Sequence, residues 1–158
     1  MLRVTIDEHA TGVVLDAAAR GDAAEPTPLP TLRVGLPPGA TAAQLRDAVQ
    51  GWLQRQARHV FDERCAHYAP LLNVRPRRVC LSSARTRWGS AGADGSVRLN
   101  WRLIHFALPV IDYVVVHELA HLRHMDHGPR FWAVVRGAVA DVDGARGALR
   151  QAVLPAFE

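Results

Sequence analysis

The spacing of hydrophobic and polar positions changes along the chain, and each change marks an element. Short runs with strand character stand at 2–6 (Leu-Arg-Val-Thr-Ile), 12–16 (Gly-Val-Val-Leu-Asp) and 32–36. A Gly/Ala/Pro-rich loop from Gly21 to Pro30 separates the second run from the third, and Pro37-Pro38-Gly39 ends the third. Thr41 stands three residues before Gln44, the spacing of a capping box. Leu45, Val49, Leu53, Val60, Phe61, Cys65 and Tyr68 then recur at helical intervals, predicting a long amphipathic helix over 42–67. A period of two returns at Arg78–Leu81, and again where Val97, Leu99 and Trp101 alternate with Arg98, Asn100 and Arg102. Arg87-Trp88-Gly89-Ser90 falls in the turn between these two strands.

Pro109 suits the first turn of the next helix, and Ile111 to Val116 are apolar except for Asp112, so this helix is expected to be buried nearly all round. It runs directly into His117-Glu118-Leu119-Ala120-His121. Gly128-Pro129 breaks the chain, and a further amphipathic helix carries Phe131, Trp132, Val134 and Val135. Asp143-Gly144 separates a last short helix ending near Pro155. The pattern predicts an α+β fold: a small, mostly antiparallel sheet packed on a long helix and on a buried helix that carries histidines. The N-terminal strands and Pro-rich loop, 1–40, are read as part of the same domain as a core over 41–158.

Composition agrees with one globular domain. The chain has 158 residues, 49% of them apolar, and a chain of that size buries roughly two thirds of its unfolded surface without needing a metal or disulfide for stability. A bound metal would therefore serve chemistry. Cys65 and Cys80 lie within apolar patterns and form no C-x-x-C pair, so they read as free thiols in a reducing compartment. Arg3, Asp7 and Glu8 interrupt the opening segment, no long apolar run occurs, and a cytoplasmic protein with no membrane association is the expectation. All 19 basic residues are arginine, and the net charge is +4. The charge is uneven: Arg75, Arg77, Arg78, Arg85, Arg87, Arg98 and Arg102 face only Asp94 within their segment. Such a stretch is either a solvated, carboxylate-paired face or a phosphate-binding surface.

The chemistry concentrates in one helix. Two histidines four residues apart lie ~40° apart around the axis and ~6 Å along it, so His117 and His121 can converge on one cation. Zinc suits neutral imidazoles, and three protein ligands leave a fourth position for water. Glu118, beside the first ligand, can then accept that water's proton. A glutamate and two histidines within a run of Val, Leu and Ala are costly to bury unless paired or coordinated. His127 is a third candidate ligand just past the helix, with His124 and Asp126 as rivals. On a continuous helix His124 would lie ~10 Å along the axis from His117, too far to share its ion. His127 can reach only if the helix ends after His121 and the chain turns back, as Gly128-Pro129 suggests. His9, His59, His67 and His105 read as surface or core residues, with His105 the one nearest in sequence to the site. Arg87, Arg102, Tyr113 and His105 are candidate oxyanion stabilisers among which the sequence does not choose.

Several ordered stretches carry a family resemblance. Arg85-Thr86-Arg87-Trp88-Gly89-Ser90, Val97 to Ile104, Pro109 to Leu122, His127 and Phe131-Trp132 resemble the YgjP-like metal-dependent hydrolases, which are similar to zincin metallopeptidases and to SprT-like proteins. The resemblance is dense over 75–135 and weaker over Leu32 to Gln56. It implies a compact zincin-like fold whose HExxH helix is the active-site helix, with zinc held by His117, His121 and His127 and with Glu118 as general base. The chain departs from the family where Ala91 replaces a cysteine after Trp-Gly-Ser, and where Asp126-His127-Gly128 replaces Asn-His-Ser.

The expected function is a zinc-dependent hydrolase, a metallopeptidase that cleaves peptide or other amide bonds of a peptide or protein substrate. The alternative is a nucleic-acid-associated, SprT-like protease or binding module that uses the Arg-rich 75–102 segment. Arg87, Trp88 and Asn100 are expected to build a hydrogen-bonded turn with Trp88 packed on the active-site helix.

Overall fold

The computed structural model describes residues 3–16 and 30–152; the loop from Gly21 to Pro30 lies almost wholly outside these, as does Pro155. The chain divides into two compact units, Met1–Leu53 and Gln54–Glu158.

In the first unit, β1 (Arg3–Ile6), β2 (Val13–Asp16) and β3 (Thr31–Val34) form a sheet of order β1-β3-β2. β3 is parallel to β1 and antiparallel to β2. Arg33, on the central strand, donates to Asp16 at 2.6 Å on one side and to Asp7 at 3.2 Å on the other, a clamp across the strands. Asp7 is held below the ordinary carboxylate range, first by the His9 backbone amide and then by Arg33.

The helix α1 (Ala42–Leu71) begins in this unit and continues into the next. Its start is the expected capping box: Gln44 N donates to Thr41 Oγ1 at 3.2 Å, and Thr41 N donates to Gln44 Oε1 at 2.9 Å. Its end runs four residues beyond the expected 67. Asn73 adopts φ 54°, Val74 N bonds Ala69 O at 3.0 Å, and Asn73 N bonds Pro70 O at 3.1 Å. This Schellman closure satisfies the carbonyls of Ala69 and Pro70 at the end of the helix.

In the second unit, β4 (Arg78–Ser82), β5 (Gly89–Ala91) and β6 (Ser96–Asn100) form a sheet of order β4-β6-β5. Sequence alternation suggested mostly antiparallel pairing, yet each sheet holds one parallel and one antiparallel pair. The reason is local. Gly92 to Gly95 makes a tight turn, with Gly95 at φ 83°, that folds β5 antiparallel onto β6. β6 then enters between β5 and β4 and runs parallel to β4. Gly89 and Ser90, expected in a turn, thus belong to an edge strand, and Trp101, expected at the strand's end, opens a short 3-10 turn (Trp101–His105) capped by Asn100.

Val97 and Leu99 are fully buried in this sheet, and α2 (Leu108–Ala120) packs on β5 and β6. Its Val115, Val116, Leu119 and Ala120 are fully buried, as the near-continuous apolar run requires. α3 (Pro129–Ala138) and α4 (Val142–Gln151) pack on the rest of α2. Asp143-Gly144, read as a separator, lies inside the first turn of α4; the cap is Asp141, whose Oδ1 accepts from Gly144 N at 2.9 Å. Asp112, the polar exception in α2, is bound by Arg64 of α1 through Nε at 2.6 Å and Nη2 at 3.0 Å, and accepts from Tyr68 Oη at 3.2 Å. Cys65 is buried and Cys80 partly exposed, both as free thiols. No helix among the described residues is long and apolar enough to cross a membrane.

Candidate metal centre

The centre lies wholly within the second unit and is assembled at one end of α2. The helix ends at Ala120, His121 is its C-cap, and the chain turns through residues 122–128 before Pro129 starts α3. This break returns His127 to the helix end. Imidazole ring centroids lie 5.0 Å apart for His117 and His121, 5.3 Å for His117 and His127, and 4.6 Å for His121 and His127. One ligand nitrogen from each lies within 4.8 Å of the others. Two nitrogens bound to one zinc span ~4 Å at most, so small ring rotations suffice. His124 and Asp126 are not part of this cluster.

The second nitrogen of each helical histidine is engaged. His121 Nδ1 lies 3.1 Å from the carbonyl oxygen of His124, which can only accept; Nδ1 therefore carries the proton and Nε2 is free to bind a cation. His117 Nδ1 lies 3.3 Å from Glu118 Oε1, and an ionised carboxylate there accepts from Nδ1 and leaves Nε2 free. Burial, together with the neighbouring His121 and His117, pushes His127 below the ordinary histidine range. Neutral imidazole is the form a cation needs. Phe131, fully buried, stacks on His121 with centroids 4.5 Å apart and stands edge-on to His117 and His127. The donor set, its fixed ring protons and its apolar backing fit a zinc-type ion.

Glu118 is 5% exposed and lies under β5. Trp88 and Gly89, with Tyr113, Val114, His117, Glu118 and Leu149, line a recess of about 180 Å³ beside it. The loop before β5 is pinned by buried Asn100, whose amide donates to Ala84 O at 2.8 Å and to Arg87 O at 3.2 Å. The expected hydrogen-bonded turn is therefore present, and Trp88 packs edge-on to Phe106 at 5.1 Å. Of the residues weighed as oxyanion stabilisers, Tyr113 lines the recess, its ring 5.8 Å from His117. Burial pushes its phenol up, while Arg146 pulls it down. His105 is exposed near Trp101, Arg87 is exposed, and the Arg102 guanidinium lies 4.8 Å over the Trp101 ring. Gly89, expected only as a turn residue, instead lies in β5 with its Cα against Glu118, a contact that a turn glycine in the sequence does not signal.

Residues 21–152 match the family described as YgjP-like, metallopeptidase domain. Among solved structures, the chain is similar to the metallopeptidase zymogen jannalysin of Methanocaldococcus jannaschii, with TM-score 0.52 and 18% identity over 58% of this chain and 94% of that one. It is also similar to the metallopeptidase zymogen abylysin of Pyrococcus abyssi, with TM-score 0.51 and 16% identity over 60% of this chain and 99% of that one. At such identities these likenesses concern the fold. No curated protein matches the chain significantly. With most of its length matched, the chain belongs to the YgjP-like metallopeptidase-domain family and is, at the level of that family, a metal-dependent peptidase.

Proposed function

We propose that the protein is a zinc-dependent peptidase in which His117, His121 and His127 hold the ion and Glu118 is the general base. The observation that carries this reading is the convergence of three imidazoles at the end of α2, with a buried carboxylate on the next residue. When bound, zinc would polarise a scissile carbonyl and acidify a water. The rest of the chemistry falls to the chain. The Glu118 carboxylate takes a proton from water and later gives one to the departing amine, a role worth ~10²–10⁴ in rate. The covering strand and Phe131 shield Glu118 and His121, which strengthens the charge interactions on that side of the site, while His127 faces solvent. The half-buried Trp88 and buried Tyr113 wall the adjoining recess, where a substrate side chain can rest.

The test is metal analysis of purified protein together with mass-spectrometric mapping of cleaved peptides, comparing wild type with Glu118→Gln. About one zinc per chain in both proteins, and cleavage only by wild type, is the expected result. Metal-free protein after metal-replete purification, or undiminished cleavage by the variant, overturns the reading. The free thiols, one of them buried, suit the cytoplasm.

A second reading rests on Arg75, Arg77, Arg78, Arg85, Arg87 and Arg98, which are exposed and have no ion-pair partner among the described residues. They would bind phosphates of a nucleic acid, and retention on DNA that falls steeply with salt is the measurement that supports it.

A further inference from the structure

The recess beside Glu118 carries chemistry that hydrolysis itself does not use. Its far wall is Leu149, on α4. Arg146 and Arg150 flank Leu149 on the same helix, four residues apart, a spacing at which like charges repel. Neither has a carboxylate partner among the described residues, whereas Arg136 on α3 is paired with Asp143 at 3.4 Å. Arg146 is also held in place: its guanidinium carbon lies 5.1 Å over the Trp132 ring, and that ring lies 6.0 Å from His117 and 6.2 Å from His127. A planar guanidinium stacked on an indole has lost much of its freedom in advance, and its fork matches a carboxylate.

The direction of a substrate follows from Glu118. The carboxylate that donates a proton to the leaving nitrogen must lie beside the amine half of the substrate. The recess adjoining Glu118 therefore receives the residue on the C-terminal side of the scissile bond. A volume of about 180 Å³ holds about six waters at ~30 Å³ each, or one medium-sized side chain. Arg146 and Arg150 do not line the recess themselves, but both are near enough to its wall residue Tyr113 to act on that phenol. An extended chain advances ~3.3–3.6 Å per residue, so a carboxylate one or two residues beyond the cut can pass out of the recess toward Arg146.

We propose that the recess between β5, α2 and α4 is a substrate subsite selective for a carboxylate on the C-terminal side of the scissile bond, with Arg146 as its anchor and Arg150 supplying further positive charge. The inference rests on the peptidase reading. The carboxylate belongs either to an acidic side chain or to the substrate's own C-terminus, and the two sources are separable by experiment.

Binding is measured without turnover, on zinc-loaded Glu118→Gln protein, by saturation-transfer NMR titration. One ligand pair is acetyl-Leu-Glu-amide against acetyl-Leu-Gln-amide; the other is acetyl-Leu-Gly with a free C-terminus against its amide. The carboxylate member of at least one pair is expected to bind about tenfold more tightly, as a charge-assisted bidentate contact allows. The preference should shrink to about twofold or less in the further variant Arg146→Gln, fall partly in Arg150→Gln, and recover in part in Arg146→Lys, which restores charge without the fork. Selectivity in the first pair assigns an acidic side chain; selectivity in the second assigns the C-terminus. Equal binding within both pairs, or a preference unchanged in Arg146→Gln, overturns the subsite. Digestion of a peptide library by the wild-type protein separates the two readings. Cleavage with no carboxylate preference, alongside equal binding, refutes the subsite and leaves the peptidase standing. Selective binding without any cleavage keeps a carboxylate site at Arg146 but refutes the peptidase reading, and with it the site's placement beyond a scissile bond.

Discussion

A methyl group added to Gly89 would sit 2.8 Å from both Cγ and Oε1 of Glu118. Contacts that short are not tolerated, so the backbone of β5 forms the wall against which the Glu118 carboxylate is set. Gly89→Ala is expected to push Glu118 off its position and loosen its contact with His117 Nδ1, while all three imidazoles of the cluster remain. A misplacement of ~1 Å at a reacting group costs ~10²-fold in rate, so turnover should fall by about that factor with metal content unchanged. Full turnover in this variant would show that Glu118 can shift without consequence.

Substitution of His127 by alanine should weaken zinc binding far more than His124→Ala or Asp126→Ala, because only the first removes a nitrogen of the three-imidazole cluster. His124 acts through its backbone carbonyl, which holds the His121 Nδ1 proton, and a side-chain truncation leaves that carbonyl in place. Competition titration with a chelator compares the three variants. Equal losses across them would mean that the third ligand is misassigned.

Asp112→Ala should destabilise the fold by ~3 kcal/mol, since it strands the guanidinium of Arg64 in a site where the pair's side chains are only 19% and 13% exposed. Denaturant unfolding at neutral pH gives the number. Asp112→Ala combined with Arg64→Leu should recover part of the loss, because no unpaired charge then remains; a double variant no better than the single one counts against a buried-charge penalty.

The thiol of Cys65 is 4% exposed, and burial pushes its pKa from 9.0 to about 12. The folded protein should therefore resist alkylation of Cys65 by iodoacetamide at pH 8, with labelling at that position appearing on denaturation. The linked stability effect has a definite sign. Because the folded pKa lies above the unfolded one, the contribution is fully present below pH 9 and is lost as pH rises toward 12. A Cys65→Ala variant should show a flatter decline of stability over that range; an identical decline would assign it to other groups.

The chain's local order determined much of this by itself. The capping box at Thr41, the buried run of α2, the helical pairing of His117 with His121 and the break at Gly128-Pro129 depend on neighbours within a few residues, and periodicity and side-chain type express such relations directly. Local signals mislead where they are ambiguous: Asp143-Gly144 has the composition of a separator, yet Asp141, two positions earlier, reaches the amide of Gly144 and the helix starts sooner. The tertiary structure decided which distant groups meet. That β6 enters between β4 and β5, that Gly89 walls Glu118, and that Arg146 stacks over Trp132 beside the histidines are outcomes of packing between segments far apart in the chain. Such contacts depend on the shapes of several elements buried together, and no single stretch of sequence carries that information.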